Sequence, residues 1–262
     1  GDPHDREMAI SCGAAVFNIR TAGRYLGLDP RIDFIPEPSE GDLLARIRLG
    51  VMPGEKRSHN GEDKVLYQAI KKRHMNWHPF DEKPVADDVL RTLVKAANTD
   101  EAWLQVIRDF TARHAMADLV AQADREQFGD KSFRRELASW LHPLRSHSHD
   151  GLPGSEHGSG TIGSLIAPFV VTTLNVGGAT ARRDYAQTET APALLVLGTQ
   201  TDTVTDWLHA GMAMQHILLH LTAAGLSASF LNPPVQVEHL RPHVSRVAGR
   251  PGSFAQILMR IG

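Results

Sequence analysis

Two stretches of the chain carry the same spacing of small and apolar positions. Residues 13–28 read GAAVFNIRTAGRYLGL, and residues 211–226 read GMAMQHILLHLTAAGL. Offset by 198 positions (211 − 13), they coincide without a gap at Gly13/Gly211, Ala15/Ala213, Ile19/Ile217, Gly27/Gly225 and Leu28/Leu226. Each copy has a small residue early, where a second helix can approach closely. An apolar stripe at helical spacing and a C-terminal glycine follow. Each then runs into a short strand and prolines, DFIPEP at 33–38 and SFLNPP at 229–234. A duplicated unit with so long a period predicts two related halves facing each other, with a site at their seam. The second half occupies 63–262 and the first only 1–50, joined by a linker at 51–62. The chain is therefore expected to begin inside its first unit, which is truncated.

The same pattern predicts a helix over 6–26, stopped by Gly27 before Asp29-Pro30, and a strand over 31–36. Residues 42–50 alternate at Leu43, Ala45, Ile47 and Leu49, which favours a strand, although the end of a helix is the other reading. Helices are predicted at 63–74, 85–97, 111–128 and 131–141, with a strand, LQVI, at 104–107. Residues 143–160 form a polar loop of a length used for lids. The apolar run 161–175 has no deciding period. APALLVLGTQ at 191–200 reads as a buried strand. Thr201 or Asp202 would cap a long helix reaching about 224, followed by a strand, SASFL, a helix at 237–247 and a final strand at 254–262. Many helices around a few non-alternating strands imply an α+β sandwich with a covered sheet.

Charge and composition narrow the chemistry. A net charge of −2 and a pI near 6.7 argue against nucleic acid or a membrane surface as partner. The single cysteine, Cys12, excludes an internal disulfide and a cysteine-based zinc site. No uncharged apolar run is long enough to span a bilayer, and a reducing cytoplasm fits best. There is no GxSxG, no GxGxxG after a strand and no GxxxxGK. His147, His149, Asp150, Glu156 and His157 crowd the polar loop and could converge on a metal, as in a metal-dependent hydrolase. Their spacing matches no metal motif, so a solvated lid is the default. Gln215, His216 and His220 read either as half-buried polar groups at a seam or, the default for each histidine, as satisfied core residues. IKKRHMNWHPF at 70–80 gathers Lys71, Lys72, Arg73, His74 and His78 at a helix end. There they either answer the helix dipole or form an anion site, with Arg73 gripping a phosphate and Asn76 as a neutral donor.

Together these residues resemble the nitroreductase-like flavoproteins, and more narrowly the Acg family, in which two nitroreductase-type units are fused in one chain. The matching stretches are REMAISCGAAVFNIRTAGRYLGLDP, AIKKRHMNWHPF, DGLP, DWLHAGMAMQHILLHLTAAGLSASFLNPP and RPGSFAQILMRIG, in the family's order. The resemblance implies an α+β nitroreductase-like fold, a tandem pseudo-dimer in which one chain imitates a homodimer holding FMN at its interface and need not dimerise further. It implies a flavin that takes a hydride from NADH or NADPH and reduces a small acceptor, a quinone or nitroaromatic. The alternative within the family is a lidded flavin-sequestering protein with little turnover. The family's phosphate turn is of the type RRTNRRPF. Here RHMNWHPF keeps Arg73, Asn76, Pro79 and Phe80, while His74, Met75, Trp77 and His78 replace arginines and a threonine. Cofactor contacts are thus expected from Arg73, His74 and Asn76 at the phosphate and from Asn232, Pro233, Val235 and Gln236 beside the ring. A second flavin-facing motif, of the type PSxHNxQPW, has no counterpart.

Overall fold

A computed structural model describes residues 2–35, 42–51, 61–142, 152–153 and 177–262. At its centre lies a four-stranded antiparallel sheet. Its spatial order is β3 (Trp103–Ile107), β6 (Ala193–Thr199), β8 (Phe254–Ile261) and β7 (Ala228–Phe230). All of β6 and all but Phe254 of β8 are buried. Helices on both faces explain why these strands read as continuous apolar runs. On one face Leu195, Leu197, Ile257 and Met259 meet Leu93 of α3 (Asp87–Thr99) and Ile217 and Leu221 of α7 (Val204–Ala223). On the other, Leu194, Val196 and Leu258 meet Met116 and Val120 of α4 (Phe110–Gly129) and Val244 of α9 (Arg241–Val247). The expected α+β architecture with a covered sheet is what forms.

The repeated helices find each other. α1 (Arg6–Tyr25) lies along α7, and the two early glycines of the repeat meet at the crossing. A Cβ on Gly13 would strike the carbonyl of Leu208, and one on Gly211 the carbonyl of Ile10. The matching C-terminal glycines, Gly27 (φ 78°) and Gly225 (φ 73°), both adopt the left-handed conformation just past their helices, where a Cβ is unfavourable. A third layer covers this pair. The alternation at 42–50 resolves as β2 (Ala45–Val51), antiparallel to β1 (Leu28–Phe34). Ile32, Phe34, Ala45 and Ile47 pack on Val16, Phe17, Met212, Leu219 and on Leu66 of α2 (Gly61–Ile70).

Several expectations change. α2 begins at Gly61, inside the predicted linker, and ends at Ile70 rather than 74, because the chain must turn to reach the sheet edge. Thr203, not Thr201 or Asp202, caps α7; it forms a reciprocal capping box with Asp206. The predicted helix over 237–247 is two pieces, α8 (Pro233–Gln236) and α9, each with a proline in its first turn. α5 (Lys131–Trp140) follows α4 as expected, but α6 (Gly177–Thr190), packed on α4, was not foreseen. Two short strands, β4 (Leu141–His142) and β5 (Leu152–Pro153), pair in parallel. The rest of the polar loop, with His147, His149, Asp150, Glu156 and His157, lies outside the described residues, as do 52–60 and the run 161–175. Among the described residues no helix is long and apolar enough to cross a membrane.

Candidate functional site

The basic turn after α2 is built onto the sheet. The N–H groups of Lys72 and Arg73 both return to the carbonyl of Ala69, closing the helix. Met75 then bridges to Ala228 of β7, and the Asn76 N–H donates to the Ala228 carbonyl at 2.9 Å. Arg260, next to last in β8 and only 1% exposed, holds the turn. Its Nη1 donates to the His78 carbonyl at 3.0 Å and its Nη2 to that of Asn76 at 3.4 Å, with the guanidinium 4.6 Å from the Phe80 ring centre. Burial lowers its pKa to about 10. Asn76 Oδ1 accepts from the His78 N–H, and exposed His74 places Nδ1 3.0 Å from the Lys72 carbonyl. Half-buried Arg73 has no side-chain hydrogen bond or ion pair among the described residues. The turn thus gathers Arg73, His74 and Asn76, and the Arg73 guanidinium is unpaired among the described residues. The sequence singled out these residues but not Arg260, although an arginine inside ILMRIG was a visible anomaly.

Asn232 through Gln236 follow the other end of β7, four residues beyond Ala228 and so roughly 13 Å along the strand direction. Asn232 Oδ1 accepts the Leu258 N–H, and buried Val235 offers its carbonyl to Arg6 Nη2 at 3.3 Å. Pro233 opens α8. Gln236 donates through Nε2 to Glu7 and accepts at Oε1 from Gln127. Behind them is a polar network that the sequence did not reveal. Asp202 receives both Nη groups of Arg241 at 2.7 Å, and the Trp207 Nε1 donates to it at 2.7 Å. The pairing of β6 with β8 slips between Leu197 and Gly198, leaving Gln256 as an extra residue. Such a bulge re-aims its side chain, and Gln256 bridges Asp202, Thr199, Arg241 and Arg6. Burial pushes the Asp202 carboxyl up, but hydrogen bonds from Arg241, Trp207 and Gln256 outweigh it and bring the pKa down to about 2. Val235, Gln236, Glu7, Trp207 and Arg241 line a cavity of about 240 Å³.

A larger cavity, about 520 Å³, opens where α1, α2, α3 and α7 meet. Asp100, just past α3 and almost wholly buried, takes Arg20 Nη2 at 2.6 Å on one oxygen and lies 2.9 Å from His216 Nδ1 with the other. Burial raises its pKa, yet the His216 hydrogen bond and the Arg20 charge override it, so the net shift is downward. His220 sits one helical turn on, its ring stacked on that of His216 at 4.9 Å. Burial first and the His216 charge second lower its pKa. Glu62 Oε1 is 3.6 Å from His220 Nε2. The sequence reading of a satisfied core histidine holds for His216, through Asp100, whereas half-buried His220 faces the exposed Glu62. Their i, i+4 spacing was the available signal that both rings share a face.

No family model matches the chain. The Mycobacterium tuberculosis protein named "Putative NAD(P)H nitroreductase Rv3131" is 28% identical over 262 residues, covering 100% of this chain and 72% of that protein. "Putative NAD(P)H nitroreductase acg" from the same organism is 25% identical over 271 residues, covering 100% of this chain and 76% of that one. Among solved structures, the FMN-dependent nitroreductase NfnB from Mycobacterium smegmatis in complex with NADPH is 18% identical with a TM-score of 0.48. That match covers 76% of this chain and 87% of the other.

Proposed function

We propose that this chain, nitroreductase-like along its whole length by its similarity to the mycobacterial proteins, is an oxidoreductase that holds FMN and draws on NAD(P)H. The alignment over all 262 residues with proteins named as NAD(P)H nitroreductases is the observation that carries the reading. FMN when bound supplies the redox chemistry, accepting a hydride and passing electrons to a small acceptor such as a quinone or nitroaromatic.

This chain's residues fit the phosphate end of such a cofactor. Arg73 offers a guanidinium unpaired among the described residues, beside His74 and the Asn76 side-chain amide, and charge-assisted donors are what a phosphate needs. On the ring side, Asn232 and Gln236 already hold the Leu258 backbone, Glu7 and Gln127. Their role would be to fix the shape of the 232–236 turn, so that its backbone and Pro233 meet the ring edge. Val235, wholly buried, would anchor that turn.

Titration of FMN into the purified chain, followed by flavin fluorescence, tests this. Arg73→Ala should weaken binding about 10–100-fold, the worth of one hydrogen bond to a charged group. Absence of any FMN binding ends the proposal. Bleaching of bound flavin by NADPH without oxygen identifies an enzyme, whereas a flavin that stays oxidised identifies a sequestering protein.

A further inference from the structure

We propose that Glu62, His216 and His220 form a site for a divalent transition metal of the zinc class, in the cavity between α1, α2, α3 and α7. The inference does not depend on the flavin reading. One ligand atom from each of the three residues lies within 4.8 Å of the other two. Zinc held at about 2.0–2.1 Å by tetrahedral ligands separates them by roughly 3.3–3.5 Å. His220 Nε2 and Glu62 Oε1, at 3.6 Å, are already near that separation. The remaining closure is of the order of an ångström for this ligand set, and Glu62, exposed on the first turn of α2, is free to move toward the two imidazoles.

The surroundings match what a metal-binding histidine needs. A ligating imidazole usually engages its second nitrogen with a carboxylate, which fixes the tautomer and aims the ring. Asp100 does this for His216, engaging Nδ1 at 2.9 Å and leaving Nε2 for the metal, while Arg20 fixes Asp100 from its other oxygen. Two histidines one helical turn apart with one carboxylate make a three-ligand set that leaves a coordination position open. All three residues line the cavity, from which a further ligand would come. Charge there is balanced: Glu62 and Asp63 favour a cation, Arg24 and Lys95 oppose it, and Arg20 is neutralised by Asp100. Arg24 and Lys95 instead suit an anion or a polarised water as the fourth ligand.

Isothermal titration of the dialysed chain with zinc chloride should give one equivalent of binding. Even outer partners of a metal ligand are worth about 10–100-fold in affinity, so Glu62→Gln and His220→Ala should each weaken binding at least ~100-fold. Asp100→Asn, a change at a positioning residue, should weaken it about 10–100-fold. Glu62→Gln lies on the surface, and its metal-free melting point should equal the parent's, which separates ligand loss from unfolding. A variant lacking His147, His149 and His157 should bind as the parent does. The proposal is overturned if the parent binds no zinc, if Glu62→Gln and His220→Ala leave the affinity unchanged, or if the loop variant alone abolishes binding.

Discussion

Asp124 is a buried carboxyl with an unpaired oxygen among the described residues. It is 2% exposed on α4, and its Oδ2 has no hydrogen-bond partner among the described residues. Burial first, and the nearby Asp184 charge second, raise its pKa to about 7. The folded protein therefore keeps a proton that the unfolded chain releases near pH 4. Stability falls as pH rises from about 4 to 7, because the unfolded state binds fewer protons in that window. Asp124→Asn removes the dependence. A shift of this size corresponds to at most about 4 kcal/mol above pH 7, and the asparagine leaves an amide short of partners at a cost of about 1–3 kcal/mol. The net expectation is a gain of about 1–2 kcal/mol at pH 8 and a loss at pH 4. Urea unfolding at the two pH values reads both signs. Equal effects at pH 4 and pH 8 would show that Asp124 is ionised throughout.

At the scale of elements, the crossing of α1 and α7 depends on two missing methyl groups. A Cβ on Gly211 would meet backbone, the carbonyl of Ile10, which cannot swing aside as a side-chain tip can. Gly211→Ala should cost about 3 kcal/mol or more, the upper range for overpacking. Gly225→Ala meets nothing within 4 Å but takes a positive φ, and should cost about 1 kcal/mol. Denaturant midpoints should rank the parent, Gly225→Ala and Gly211→Ala in falling order; the reverse order for the two variants would mean that the helices do not meet at the glycine. This pairing was legible in the sequence because small residues at matched positions leave a pattern. The covered sheet was legible too, since the runs LLVL and ILM are apolar on both faces. α6 was not, because its buried positions are Gly177, Ala181 and Thr188, which carry little apolar signal. The α7 cap was misplaced because TQTDT offers several capping side chains, and Asp206, three residues into the helix, decides for Thr203. The candidate site was half legible. Arg73 announces itself by charge and Asn76 by its place in the basic turn, but Asp202, Arg241 and Gln256 are brought together by a bulge and by contacts spanning 15, 39 and 54 positions.

Across the whole molecule, α1 is a non-local element fastened toward both ends by arginines, Arg6 buried and Arg20 half-buried. Arg6 reaches Gln256 and Val235 at one end, and Arg20 reaches Asp100 at the other. Both fastenings involve carboxylates whose pKa is lowered in the fold: Asp100 at the Arg20 end, and Asp202 through Gln256 at the Arg6 end. A carboxyl with a depressed folded pKa contributes stability that is present above its unfolded value near 4 and is lost as pH falls through its folded value. For Asp202 the window runs from about 4 to about 2. The shift alone would correspond to about 2.5 kcal/mol. With a quarter of the side chain exposed, screening reduces this to about 1–2 kcal/mol. Asp202→Asn should therefore lower stability by that amount at pH 7 and flatten the decline between pH 4 and pH 2. Trp207, whose indole donates to Asp202 at 2.7 Å, is a built-in reporter. Its fluorescence should change in the parent below pH 4, together with faster amide exchange in the first turns of α1. If exchange in α1 stays protected at pH 2.5 while the rest of the chain opens, the Asp202 network does not govern that helix, and its hold comes from the glycine crossing, the apolar packing and the Arg20–Asp100 pair.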